Sequence, residues 1–318
     1  MGFTQRSSAV AQLGDGTWGF YVNGEDWMCG GWTSTPPYTV DNVWKSTNNG
    51  VTYDAQTDFP WAFHTPMSVV VNNVAYIVGG DTINFTNEGD YRRASYKLES
   101  GVWSQIAANP GIANRCLGCL VYLNGSFYLI GGCTTTQKAT ATFYRTVLRS
   151  DDGLQTFTEI LSDTSTQGFD TPLAHGAYCV HRGKIWRIGG GYHDAWYLQE
   201  PENSIYSSVN GITWDYRGRF KGLGRIYPQL VSHNGKLYVF NGANLGGYES
   251  TNAVQSSSDP DLRDYWTIEE LNGGRLIQTY KGLTGWSHRH AAAIWSSPYG
   301  IRCFCGSVAV ADMWTLEE

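Results

Sequence analysis

Three arginines, Arg115, Arg225 and Arg289, each stand sixteen residues before a recurring two-residue glycine signature, at Gly131-Gly132, Asn241-Gly242 and Cys305-Gly306. A guanidinium is a planar, permanently charged fork of donors. Three of them held in one structural register would suit a carboxylate, sulfate or phosphate. Histidines lie one or two positions away, at His64, His175, His288 and His290. The competing expectation is that each arginine binds a backbone carbonyl or a carboxylate of its own repeat. The spacing is compatible with both.

A second set of candidates follows the glycine signatures. Trp32, Tyr38, Phe85, Tyr91, Phe143, Tyr144 and Tyr248 lie in polar segments, and residues 191–201 gather Tyr192, His193, Trp196 and Tyr197 beside Asp194, Gln199 and Glu200. Aromatic rings among amides and carboxylates suit sugars, which offer C–H faces for stacking and hydroxyls for paired hydrogen bonds. The same rings suit a protein partner, or fill gaps between loops. No Gly-x-Ser-x-Gly, His-Glu-x-x-His or phosphate-binding glycine loop is present. No catalytic residue, metal or cofactor is assigned.

The elements that position these residues follow from the glycine pairs. They stand at Gly30-Gly31, Gly79-Gly80, Gly131-Gly132 and Gly189-Gly190, with degenerate copies at Asn241-Gly242 and Cys305-Gly306, so the steps are 49, 52, 58, 52 and 64 residues. Three positions before each pair stand Trp27, Tyr76, Tyr128, Trp186, Tyr238 and, in the last copy, Arg302. Six positions before stand Gly24, Asn73, Gly125, Gly183, Gly235 and Tyr299, five of which suit a tight turn. An apolar run, a two-residue turn such as Asn124-Gly125, a second run and a glycine pair describe a β-hairpin used six times. One such hairpin cannot bury its apolar face, whereas six in a ring can.

This pattern resembles the kelch repeat, over nearly the whole chain. The resemblance implies an all-β, six-bladed propeller of four-stranded blades forming one domain over residues 1–318. Residues 41–47, 204–208 and 254–257 read as third strands, and 102–107, 157–161, 213–216 and 265–271 as fourth strands. The turns between them drift toward the Asp-box, Ser-x-Asp/Asn-x-Gly-x-x-aromatic. Ser46, Asn48, Gly50 and Tyr53 fit it; Ser207, Gly211 and Trp214 fit without the acid; Ser150, Asp152, Gly153 and Phe157 fit with shifted spacing. The last unit ends in a third strand at 312–318, so residues 3–12 are expected to donate its fourth and close the ring. In propellers similar to this one, the first strand of each blade lines the channel. The arginines would then gather at its mouth, on the face that carries the loops after the glycine pairs.

The formal charge of −6 gives no footing for nucleic acid, and no run of 18 apolar residues exists. Residues 1–12 are polar and lack the pattern of a leader peptide. Charged residues make up 16%, below the usual quarter, while Gly, Ser, Thr, Asn, Tyr and Trp are abundant, a composition similar to durable extracellular and viral β proteins. Seven cysteines is an odd number, so at least one thiol is free or pairs outside the chain. Cys116-x-x-Cys119 has a metal-like spacing, but residues three apart on a strand face opposite sides. The plainer expectation is a set of small buried hydrophobes.

Two function classes remain. The first is a non-catalytic binding or structural propeller. It would take an anionic or neutral glycan, or a protein partner, on its loop face, as a phage-tail or capsid component of a virion or as another extracellular adhesin; a cytoplasmic place stays open. The alternative is an enzyme similar to the N-acetylneuraminate mutarotases, kelch-like propellers whose channel arginines handle a carboxylated sugar. A sialidase needs a tyrosine–glutamate pair and an aspartate that no motif here identifies. Copper radical oxidases need a further domain.

Overall fold

The computed structural model describes residues 2–8, 14–33, 38–81, 93–134, 141–165, 174–191, 202–244, 261–306 and 311–317. These residues form six four-stranded antiparallel sheets, the blades of a six-bladed β-propeller. Each blade opens with the expected hairpin, for example Cys119–Leu123 paired to Ser126–Ile130. Five of the six hairpin turns place both central residues at positive φ, at Asn23-Gly24, Asn72-Asn73, Asn124-Gly125, Arg182-Gly183 and Asn234-Gly235. A turn of that hand matches the twist of the two strands it joins.

The ring is closed by the N-terminal strand. Gly2–Ser7 pairs with Met313–Glu317 in the register Phe3↔Leu316, completing the blade that begins with Ala293–Ser297. Phe3 sets its ring against Tyr265 and Trp286, at 5.2 and 4.9 Å between centroids, so the strand adds apolar contact as well as backbone hydrogen bonds. Beside this joint, Arg302 replaces the aromatic residue that other blades carry three positions before the glycine pair. Its Nη2 reaches Asp26 Oδ2 of the first blade at 3.2 Å, while Trp295 Nε1 donates to Asp26 Oδ1 at 2.9 Å.

The glycine pairs are joints between blades. All twelve of their residues sit at positive φ, including Asn241 and Cys305 in the first position. The second member is glycine every time. Its N–H donates to the residue that starts the next blade: Gly31 to the Phe63 carbonyl, Gly80 to Arg115, Gly190 to Arg225 and Gly242 to Arg289, at 2.8–3.3 Å. A Cβ on Gly132 would stand 2.6 Å from the Cys116 carbonyl oxygen, so the close approach as well as the torsion demands glycine.

Three expectations need correction. In the fifth blade, Asp264–Glu270 is the third strand and Leu276–Leu283 the fourth. The long segment after Asn241-Gly242 displaces the third strand, and the apolar alternation of 265–271 fits either position. The stretch expected to be that third strand, 254–257, lies outside the described residues.

The Asp-box-like turns also differ from their sequence alignment. Ser150 and Asp152 hold theirs with the same spacing as Ser46 and Asn48, because Leu154 at φ 72° occupies the place of Gly50. In the fourth blade Ser208, rather than Ser207, accepts the Gly211 N–H, and Asn210 fills the acid's place by accepting from Ile212 and Thr213.

Candidate functional site

Each blade's first strand begins with a kinked segment whose contacts repeat. The residue fifteen before the glycine pair forms an antiparallel bridge with the residue just after it, as in Asp15↔Trp32, His64↔Asp81, Cys116↔Cys133, Ala174↔Gly191 and Ile226↔Ala243. The next residue is left-handed in all six blades: Gly16, Thr65, Leu117, His175, Tyr227 and Ala291 have φ between 46° and 62°. Left-handed backbone in a β-branched or bulky residue costs about 1–3 kcal/mol and persists only where surrounding structure holds it.

Hydrogen bonds around the axis hold it here. Thr65 N–H donates to the Gly16 carbonyl, Leu117 to Thr65, His175 to Leu117, Tyr227 to His175 and Gly16 to Ala291, at 2.9–3.2 Å. These bonds all run in one sense and make a backbone girdle across the channel. Tyr227 packs on the cluster that contains Leu117 and Ala174, and its ring centroid lies 4.2 Å from that of His175. Behind the girdle lies an axial cavity of about 260 Å³, to which all six first strands contribute.

The three arginines face into their own blades. Arg225 donates from Nη1 and Nη2 to Asp264 at 2.8 and 3.0 Å, and from Nη1 to the Asn241 carbonyl at 3.0 Å. Arg289 repeats this with Asp312 at 2.8 Å and the Cys305 carbonyl at 3.0 Å. Arg115 donates to the Gly131 carbonyl at 2.9 Å and to Thr146 Oγ1 at 3.0 Å, with its guanidinium 4.2 Å from the Tyr144 ring centre. Each therefore braces its own first strand against its own glycine pair. Burial pushes the Asp264 carboxyl up, but the charge and hydrogen bonds of Arg225 more than offset this and hold it below the ordinary range. Burial pulls Arg115 down to about 10, where it is still protonated at neutral pH.

The sequence carried a signal for this pairing that the arginine spacing alone missed. Asp264-Tyr265-Trp266 and Asp312-Met313-Trp314 repeat as Asp-x-Trp, and each indole Nε1 donates to its aspartate at 2.6 Å. Thr146-Val147-Leu148 lacks both partners, and that blade's arginine has no Asp-x-Trp to meet.

His64, His175 and His290 stand at the girdle. His64 Nδ1 lies 3.2 Å from the Asp81 carbonyl oxygen. His290 is held between blades, with Nδ1 2.6 Å from Asp261 Oδ1 and Nε2 3.5 Å from Asp15 Oδ2. Burial alone would lower its pKa, but hydrogen bonds and charge from the two aspartates carry it well above the ordinary 6.5. The Tyr227 ring stands 5.4 Å from His290, linking it to His175. Asp15 Oδ1 is buried and has no hydrogen-bond partner among the described residues.

Asp15, Asp261 and Tyr227 were missed by sequence reasoning. Two carried a usable signal, since Asp15 shares the register of His64 and His290, and Tyr227 that of His175. Tyr192, His193, Trp196 and Tyr197 lie outside the described residues. Of the other loop aromatics, Phe143 packs on the Cys116, Leu117 and Cys133 cluster and Tyr144 covers Arg115, so both serve packing.

Among the described residues, no group of three or more His, Cys, Asp or Glu could hold a metal ion, and no helix is long and apolar enough to cross a membrane. No protein-family model matches the chain, and no curated protein matches it. By its architecture the chain is a six-bladed β-propeller closed by its own N-terminal strand.

Proposed function

We propose that this is a kelch-type propeller that binds rather than catalyses, and that its ligand is a glycan, docked on the loop face over the girdle. The observation that carries this reading is the Asp15–His290–Asp261 group. The Asp15 side chain is 21% exposed beside the charged His290, and its carboxylate has lone pairs to accept from a neutral donor such as a sugar hydroxyl. The partly exposed ring of Tyr227, backed by the buried His175, offers apolar surface to the C–H face of a sugar. Residues 192–201, with Tyr192, His193, Trp196 and Tyr197, follow the fourth glycine pair and are the proposed wall of the site. A virion component or another extracellular adhesin is the setting that the low charge and the Ser, Thr and Asn content favour.

The mutarotase-like alternative relied on arginines free to hold a sugar carboxylate. Arg225 and Arg289 are each engaged by an aspartate of their own blade, which favours the binding reading. A glycan array with the full chain and with Asp15→Asn tests it. The expected result is retention of one glycan class by the wild type, weakened at least tenfold by the substitution while near-UV circular dichroism shows the fold retained. Absence of glycan binding by the wild type overturns the proposal, as does anomer exchange of a carboxylated sugar followed by NMR. Mass spectrometry of particles and of cell lysate from the source would separate a virion component from a cellular protein.

A further inference from the structure

Cys116 and Cys133 face each other across the bridge at the mouth of the third blade's first hairpin. Their backbones exchange both hydrogen bonds, Cys116 N–H to Cys133 carbonyl at 2.8 Å and the reverse at 2.9 Å. Such a hydrogen-bonded antiparallel pair sets its Cα atoms about 5.5 Å apart. That separation lies inside the window of about 4.4–6.8 Å that a disulfide spans. The two sulfurs are 3.8 Å apart, and both residues are buried. Closing them to the bonded distance of about 2.05 Å needs side-chain rotation rather than backbone movement.

The surroundings make this bridge unlike an ordinary ladder pair. Leu117, next to Cys116, and Gly132, next to Cys133, both have positive φ, so the chain is kinked on each side of the contact. No other strand pairing continues beyond it on the hairpin side, because the Cys119–Leu123 and Ser126–Ile130 ladder stops short of the kinks. A covalent link here would fix the stem of the segment leading to Phe143 and Tyr144, and with it the Tyr144 ring over Arg115. Burial pushes the Cys119, Cys179 and Cys303 thiols up, Cys303 to about 12, which keeps these three protonated and poor nucleophiles.

We propose that Cys116 and Cys133 form a disulfide that staples the mouth of the third blade when the protein meets a low-molecular-weight disulfide such as oxidised glutathione. The Cys116 or Cys133 thiolate attacks one sulfur of the small disulfide and forms a mixed disulfide with it, while the other sulfur leaves as a thiolate and takes up the proton that the attacking thiol lost. The second cysteine then attacks the mixed disulfide and releases the other thiol. Two protein thiols are oxidised and one small disulfide is reduced to two thiols, so electrons and protons balance. This inference is independent of the glycan reading.

The full chain, reduced and then refolded from urea in a glutathione redox buffer, is alkylated under denaturing conditions and weighed intact. Refolding exposes the buried thiols to the oxidant before they close. The expected count falls from the seven thiols of the reduced chain to five. Tryptic cleavage isolates residues 116–138, which contain Cys116, Cys119 and Cys133, and a chymotryptic cut after Tyr122 or Phe127 leaves the two halves joined through sulfur. Cys119→Ser should still lose two thiols, whereas Cys116→Ser and Cys133→Ser should keep all six that remain. Seven alkylated thiols in the refolded wild type overturn the proposal, as does a pair that survives Cys133→Ser.

Discussion

Arg302 of the last blade and Asp26 of the first form a buried ion pair, 3.2 Å from Nη2 to Oδ2, across the seam where the ring closes. Trp295 and Asn49 also bind this pair, so it ties four segments of the last and first blades together. Burial holds the Asp26 carboxyl above its ordinary value in spite of Arg302. The desolvation of the carboxylate therefore outweighs the attraction it receives, and the pair serves the choice of partner at the seam more than net stability.

A double-mutant cycle checks that reading. Arg302→Met and Asp26→Leu should each destabilise by about 3–5 kcal/mol, because each leaves one buried charge unpaired. The double variant should cost less than either single one, so the coupling in urea unfolding should exceed about 3 kcal/mol. Additive losses would show that the two side chains act separately.

Removing residues 1–8 deletes the strand that pairs with Met313–Glu317 and takes Phe3 from between Tyr265 and Trp286. The exposed edge should drive aggregation, visible as a shift to high mass in size-exclusion chromatography. The milder Phe3→Ala should stay monodisperse and lose about 2–3 kcal/mol, since the ring is only partly buried.

The two members of a glycine pair should respond differently to the same substitution. Gly131→Asn should cost no more than about 1 kcal/mol, because Asn241 holds the equivalent position at φ 50° and asparagine tolerates that region. Gly132→Asn should cost several times more in urea unfolding, since at φ 91° its Cβ would also meet the Cys116 carbonyl oxygen at 2.6 Å. Equal losses would mean that the close approach does not matter.

Acid should weaken the protein through its turn and brace carboxylates. Hydrogen bonds from Thr156 and from the Ser150 hydroxyl hold Asp152 down to about 2, from an ordinary 3.8. A depressed carboxylate adds stability above its unfolded value and loses it as pH falls through the folded one. The difference in thermal midpoint between wild type and Asp152→Asn should thus be constant above pH 5 and shrink between about pH 4 and pH 2. Asp264 shifts in the same direction through Arg225 and adds to the same acid limb.

His290 titrates in the opposite sense. Its folded pKa lies well above 6.5, so the stability it adds is complete below that value and fades as pH rises through the folded midpoint. In an NMR titration its ring signals should show a charged imidazole at neutral pH, and Asp261→Asn should lower the midpoint. Asp15 and Asp261 are the carboxylates facing it, with Tyr227 and His175 alongside. A midpoint unchanged by Asp261→Asn would remove that aspartate from the account.

How much was legible in the sequence depended on whether a feature was local. Hairpin turns such as Asn124-Gly125 and pairs such as Gly79-Gly80 declare themselves because their torsions restrict residue type at fixed offsets. Six copies then imply a ring, and the unfinished last unit implies closure by residues near the N-terminus. The third strand of the fifth blade was misread because alternation alone does not say which rung of a sheet a segment occupies. The arginines show the sharper limit. A shared offset from the glycine pair stated that Arg115, Arg225 and Arg289 are equivalent, yet it did not state where their side chains point. That was decided by Asp264 and Asp312, 39 and 23 residues away, which neutralise two of the guanidiniums inside their blades. The girdle through Gly16, Thr65, Leu117, His175 and Tyr227 has no shared residue type to reveal it. It exists because backbone groups of six blades meet at the axis, a constraint set by ring closure and independent of side-chain identity.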